Sequence, residues 1–263
     1  MPNPTPIVWK LDDNAINTAI YYACNKVHHS VDRANMNPRA ITERLDDKVM
    51  GDIATMSVAA YLQSKGVVVY LYDAHRTDNF HDPDPGWDVA YCMGNVTTPF
   101  QNPRALPNSI TLSVRSSRIP KADGDDITTS IKKRDFKIFA YPSRSLEMCI
   151  SADIETQVYY KLSSSQLSKE DVSEALVLDC IRNPANCLEI RRRLRVDERY
   201  GESYLTAWNT KKGIIEYSKT LRQPVWASFH QGFEKRMWIA PLREGYSFEE
   251  LTQARLDKAY TER

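Results

Sequence analysis

Apolar residues recur every three or four positions early in the chain and every second position further on, so helices are expected to precede a sheet. From Asp12 to about Val27, Ile16, Ala19, Ile20 and Ala23 share one side of a predicted helix. A clearer helix is predicted over Thr42–Ser64, where Val49, Met50, Ile53, Ala54, Val58, Tyr61 and Leu62 form one stripe and Asp46, Asp47, Lys48 and Asp52 sit off it. Lys65-Gly66 ends it. The continuous run Val67 to Tyr72 predicts a strand covered on both faces. Asp73 to Gly86 is polar and proline-broken, hence a loop. Trp87 to Met93 alternates, with Asp88, Ala90 and Cys92 on one face; Ser109 to Ile119 alternates too, with Thr111, Ser113, Arg115 and Ser117 opposite Ile110, Leu112 and Val114.

A helix near Asp123 to Arg134, strands near Phe136–Tyr141 and Ile154–Leu162, and a helix from the capping box Ser168-x-x-Asp171 to Arg182 follow. The order helix, three strands, helix, strand predicts an α/β module. Residues 166–263 are expected to be mainly helical, with strands only at Val225–Phe229 and Met237–Ala240 and a last helix opened by Ser247. Three parts result: an N-terminal arm and helix over 1–41, a core over 42–165, and a C-terminal region over 166–263.

Composition narrows the chemistry. The 263 residues include only nine Gly, and neither G-x-x-x-x-G-K-[ST] nor G-x-G-x-x-G occurs, which excludes phosphate loops of the P-loop and Rossmann kinds. Five scattered Cys without a C-x-x-C predict buried, reduced thiols rather than a zinc site or a disulfide. No H-x-x-x-H and no G-x-S-x-G is present. No apolar run reaches the roughly 18 residues of a membrane span. The start Met-Pro-Asn-Pro-Thr-Pro-Ile lacks the marks of a secretory signal, so a cytoplasmic protein without membrane contact is expected. Lys and Arg number 35 against 34 Asp and Glu, so any nucleic-acid contact must be a local patch.

Gly51-Asp52 on the first core helix, Pro83-Asp84-Pro85-Gly86-Trp87-Asp88 at the second strand and Ser113-Val114-Arg115-Ser116-Ser117 on the third put metal-capable side chains at one sheet edge. Over about residues 43–162 this arrangement resembles the PD-(D/E)xK restriction-endonuclease-like superfamily. The resemblance implies a mixed sheet flanked by helices, and a Mg²⁺ site (Mn²⁺ as substitute) at which Asp88 holds the metal, assisted by Asp126 or Asp52. It also implies catalytic parts for Asp88, Ser113 and Arg115, with Ser113 and Ser117 bonding phosphate oxygens. The chain departs from the pattern where the family has an acidic residue and a Lys: Ser113 and Arg115 stand there. A subgroup carries Ser-Val-Lys on this strand and takes its carboxylate from the next helix, where Asp125 and Asp126 stand here. Arginine stays charged and does not exchange a proton readily, though it can clamp a phosphate.

Each of these residues also has a plainer reading: Asp88 as a strand-start residue, Ser113 and Arg115 on a solvated edge, Asp52 on a solvated helix face, Asp126 as a helix-start charge. Residues 182–199 hold six Arg against Glu189, Asp197 and Glu198. Arg191, Arg192, Arg193 and Arg195, with Lys211 and Lys212, are therefore the expected nucleic-acid grip. A Mg²⁺-dependent DNA endonuclease of restriction or defence type is expected, with RNA as a possible alternative substrate and a homodimer or larger complex as its setting. The alternative is a catalytically degenerate restriction-like domain that binds nucleic acid or scaffolds a complex.

Overall fold

The computed structural model describes residues 4–29, 39–82, 85–92, 109–120, 127, 129, 133–141, 143–221, 224–228 and 234–261. The strands are β1 (Ile7–Trp9), β2 (Val69–Leu71), β3 (Val89–Cys92), β4 (Ser109–Pro120), β5 (Asp135–Phe139), β6 (Ile154–Leu162), β7 (Ser203–Thr210), β8 (Val225–Ser228) and β9 (Glu234–Pro241). The helices, numbered among the described residues, are α1 (Asp13–Val27), α2 (Ile41–Ser64), α3 (Tyr72–His75), α4 (Leu146–Cys149), α5 (Glu174–Arg182), α6 (Cys187–Arg193), α7 (Val196–Tyr200), α8 (Lys211–Thr220) and α9 (Gln253–Thr261). None is long and apolar enough to cross a membrane.

The fold is α/β. A mixed six-stranded sheet runs β1-β7-β6-β4-β3-β2, and β5-β9-β8 form a second, antiparallel sheet. β2, β3 and β4 make an antiparallel meander, and β6 returns parallel to β4, from Leu112 opposite Ile154 to Pro120 opposite Leu162. One face of the large sheet packs Val89, Ile110, Leu112 and Val158 under α1 and α2. The other carries Ile119, Tyr159 and Ala207 against Phe136, Ile138 and Ala240 of the small sheet and Ile214 of α8.

Several elements lie where periodicity puts them. Asp12 caps α1, accepting the Ala15 N–H at 2.8 Å. α2 ends at Gly66, whose φ of +77° suits glycine. The helix predicted near 123–134 falls mostly outside the described residues. Others differ. β2 is the edge of the sheet, and Val68 beside it is 64% exposed, so the apolar run is not covered on both faces. The Ser168 box does not open a helix; α5 starts at Glu174, and Ser173 caps it by accepting the Leu176 N–H at 3.2 Å. Ser247 caps only the 3-10 turn Phe248–Glu250.

The largest difference is β7. Ser203–Thr210 was expected to be helical and lies instead between β6 and β1, buried along almost its whole length. A strand covered on both faces shows no alternation to read. With β1 from the N-terminal arm and β7 from the C-terminal region in one sheet, boundaries at 41/42 and 165/166 do not divide it. Cys180 and Cys187 are disulfide-bonded, Cα atoms 5.3 Å apart, against the expectation of reduced thiols. The Pro184–Asn186 turn folds α6 back on α5 and brings residues seven apart together in the core.

The charges of α2 are equally buried. Asp46 is 1% exposed and accepts from Arg199 (2.6 and 2.8 Å), Arg118 (3.0 Å), Lys169 (2.8 Å) and the Tyr200 hydroxyl (2.8 Å). Burial opposes its charge, but the Arg199 hydrogen bond and the guanidinium of Arg118 outweigh it and hold the carboxyl below its ordinary value. The carboxylate thus ties α2 to β4 and to the C-terminal helices. Asp46→Ala leaves Arg199 buried without its partner and is expected to cost about 3–5 kcal/mol in urea denaturation. Because the folded pKa is depressed, the carboxylate's contribution is present above the unfolded value near 4 and fades as pH falls below it. The gap between wild type and Asp46→Ala should narrow on acidification.

Candidate functional site

Asp88 is delivered by a tight turn. Gly86 has φ +92°, and a Cβ there would fall 2.4 Å from the Ser151 Cβ, so the Pro-Gly-Trp-Asp segment needs glycine. Trp87, 3% exposed, stands edge-on to Tyr72 with ring centroids 5.2 Å apart, and Tyr72 donates its backbone N–H to Asp88 O at 2.9 Å. Asp88 then holds β4 on both sides of Ser113. Its N–H donates to Leu112 O at 2.9 Å, and its Oδ2 accepts the Val114 N–H at 2.7 Å.

Parallel pairing sets Ser113 opposite Glu155 and Arg115 opposite Gln157. Glu155, which the sequence reading did not single out, is 1% exposed and accepts from Arg115 Nε at 2.6 Å and Nη2 at 3.4 Å. Burial works against the Arg115 charge, but Glu155 first and Asp88 after it hold the guanidinium above its ordinary value. Asp88, Ser113, Arg115 and Glu155 thus sit together at the junction of β3, β4 and β6. The signal for Glu155 was available: it is the one acidic residue of its strand, and an acid is costly to bury unless a partner waits for it.

Arg115 also lines a cleft of about 310 Å³, with Ser117, Gln157, Lys133, Arg134 and Lys137 among its walls. Asp135 is there too, its pKa raised by half-burial against the opposing charges of Lys137 and Arg243. Ser117, proposed from sequence as a phosphate contact, is therefore a cleft residue.

Two carboxylates and a serine hydroxyl are an oxygen set of the kind Mg²⁺ shares with water and phosphate. Among the described residues, however, no group of three or more His, Cys, Asp or Glu is placed to hold a metal ion. Asp126 lies outside the described residues. Asp52 is not solvated: it is 6% exposed and ion-paired with Lys26, which also bonds Asp73 at 2.7 Å. Among the described residues its Oδ2 is buried without a hydrogen-bond partner, and Asp52 and Asp73 border, with Tyr22 and Thr55, a void of about 10 Å³. That is room for about one water. The cluster lies between α1, α2 and α3.

The arginines expected to grip nucleic acid are paired within the chain. Arg191 bonds Asp197 (2.5 Å) and Asp13 (2.6 Å), Arg192 bonds Glu170 (2.8 Å) and Glu189 (3.0 Å), Arg193 bonds Glu189 (2.7 Å), and Arg195 bonds Glu198. These bonds hold Glu189 down to about 2. Lys211 donates to Ile150 O at 2.7 Å, and Lys212 is exposed at the start of α8. The six residues do not join the cleft's lining.

Two measurements probe these clusters. A double-mutant cycle of Arg115→Met and Glu155→Gln should return a coupling of about 1 kcal/mol, modest because Arg115 keeps some solvent screening. For Asp52, burial first, then the neighbouring Asp73, pushes the carboxyl up despite Lys26. A raised folded pKa means its contribution is complete below the unfolded value near 4 and is lost as pH rises toward neutrality. Asp52→Asn should therefore show a flatter stability curve between about pH 4 and 8 than wild type in thermal denaturation. Comparison with protein-family models, with curated proteins and with solved structures finds no match for this chain.

Proposed function

We propose that the protein is a metal-dependent nuclease that hydrolyses phosphodiester bonds in DNA, built on a restriction-endonuclease-like core. The carrying observation is the meeting of Asp88, Ser113, Arg115 and Glu155 where β3, β4 and β6 lie side by side, with Arg115 also lining a cleft walled by Lys133, Arg134 and Lys137. The order α2, meander β2-β3-β4, return strand β6 parallel to β4 supports it, as do the Pro-Gly-Trp-Asp turn and the Ser-Val-Arg strand. In this reading Asp88 and Glu155 would hold Mg²⁺, Glu155 standing in for the carboxylate the third strand lacks, with Asp126 as a further donor. The bound ion would lower the pKa of a water and neutralise charge on the phosphate.

The chain's own residues do the rest. Lys133, Arg134 and Lys137 draw the phosphate backbone into the cleft. Arg115 clamps the scissile phosphate, its fork of N–H donors suited to two phosphate oxygens. Ser113 and Ser117 offer hydroxyls to the same group. Arg115 does not carry the proton, because a guanidinium stays charged at working pH. Proton transfer falls to water and the carboxylates.

One observation favours a second reading. Arg115 already satisfies Glu155, as a cation set where a metal's ligand is needed, which fits a domain that binds nucleic acid or scaffolds a complex without cutting. Incubating the protein with plasmid and with single-stranded DNA separates the two. Cleavage in Mg²⁺ or Mn²⁺, at least about a hundredfold slower in Asp88→Ala, is the expected result. Thermal stabilisation by Mn²⁺ that disappears in Asp88→Asn should accompany it. Binding without cleavage, indifferent to the metal and to Asp88, would establish the second reading instead.

A further inference from the structure

One wall of the basic cleft continues into an aromatic platform. β5 sends Phe136 and Ile138 into the core and leaves Asp135, Lys137 and Phe139 on its half-exposed row. Two residues on, Tyr141 is 40% exposed and meets Phe139 edge to face, centroids 4.5 Å apart. The Arg144 guanidinium lies 4.9 Å from the centre of the Tyr141 ring. Tyr141 is also among the groups whose electrostatics reach the Arg115 guanidinium. An exposed ring braced by a second ring and by an arginine, just beyond the strand that carries Lys137 of the cleft, combines the two things unpaired nucleic acid needs: phosphate neutralisation and a face on which a base can stack.

We propose that the cleft takes a single-stranded segment of nucleic acid, phosphates against Lys133, Arg134 and Lys137 and one base stacked on Tyr141. The inference rests on the reading of the cleft as a phosphodiester site. Bases inside a duplex stack on one another and present no face to a protein ring until they are unpaired. A cleft of about 310 Å³ is at the small end of ligand sites, suited to a short stretch of one strand. The arginines of α6 that might have gripped a duplex are paired with carboxylates of their own chain.

The test is fluorescence anisotropy with the full chain in EDTA, using labelled oligo-dT, oligo-U and a duplex of the same length. Single strands should bind more tightly than the duplex, and the two homopolymers separate DNA from RNA as the source. Tyr141→Ala should weaken binding roughly five- to a hundredfold, and Tyr141→Trp should restore it. Lys137→Ala should flatten the slope of log K against log salt by about 0.7. Duplex affinity equal to that of single strands, an unchanged Tyr141→Ala, or displacement by polyglutamate as effective as by oligonucleotide would each overturn the proposal. Cleavage is scored separately: Asp88-dependent cutting of duplex alone would sink this inference and leave the nuclease, whereas tight single-strand binding without cutting would do the reverse.

Discussion

Nine residue pairs join β4 to β6 in parallel, and the whole site takes its position from that register. Strand period is two, so a slip of one residue would turn Glu155 to the helix-covered face and leave Arg115 beside an apolar neighbour. Parallel strands cannot be joined by a hairpin and need a long crossover. Here the crossover runs from Pro120 to Ile154 and carries β5, which pairs with β9 and forms one edge of the second sheet. The connection that permits the parallel ladder also supplies Lys137, Phe139 and Tyr141, so the carboxylate junction and the basic wall of the cleft are two results of one topological step.

A net charge of +1 conceals strong internal pairing. Asp46 answers Arg199, Arg118 and Lys169; Lys26 answers Asp52 and Asp73; the arginines of α6 answer Glu170, Glu189 and Asp197. The buried pairs among these, those of Asp46 and of Lys26, fix which elements touch more than they add net stability, since desolvation offsets much of the attraction. The grouping of charge in space therefore does not follow the clusters seen along the chain. Arg115, Lys133, Arg134 and Lys137 line one cleft together with the carboxylate of Asp135.

Legibility in the sequence followed burial. α1 and much of β4 have one better-covered face, so their periodicity showed, and Ser113 and Arg115 fell on the expected strand with Asp88 just ahead of β3. α2 was found along its full length, but Asp46 and Asp52 were placed in solvent because a stripe of apolar residues implies an opposite wet face. That helix is covered on several sides, by α1, the sheet and the C-terminal helices, and Asp46 and Asp52 are inside with cationic partners. β7 was missed for the related reason that Leu205, Ala207 and Trp208, all buried, alternate with nothing exposed. Glu155 went unremarked because composition counts it among many acids, whereas its significance comes from the buried strand that holds it.

Arg115 is where these threads meet, and its chemistry sets the terms of the proposed reaction. A lysine at this place could give up a proton to become a base; a guanidinium cannot, and it binds a carboxylate in the same forked geometry with which it binds a phosphate. Glu155 and an incoming phosphate therefore compete for one group. With Glu155 nearly fully buried and Arg115 partly open to the cleft, the guanidinium is the member able to move. A phosphate that draws Arg115 outward leaves Glu155 and Asp88 as neighbouring unneutralised carboxylates, a state that is costly alone and favourable with a divalent cation. Substrate and metal would then each strengthen the other's binding, by equal factors, through a single side chain.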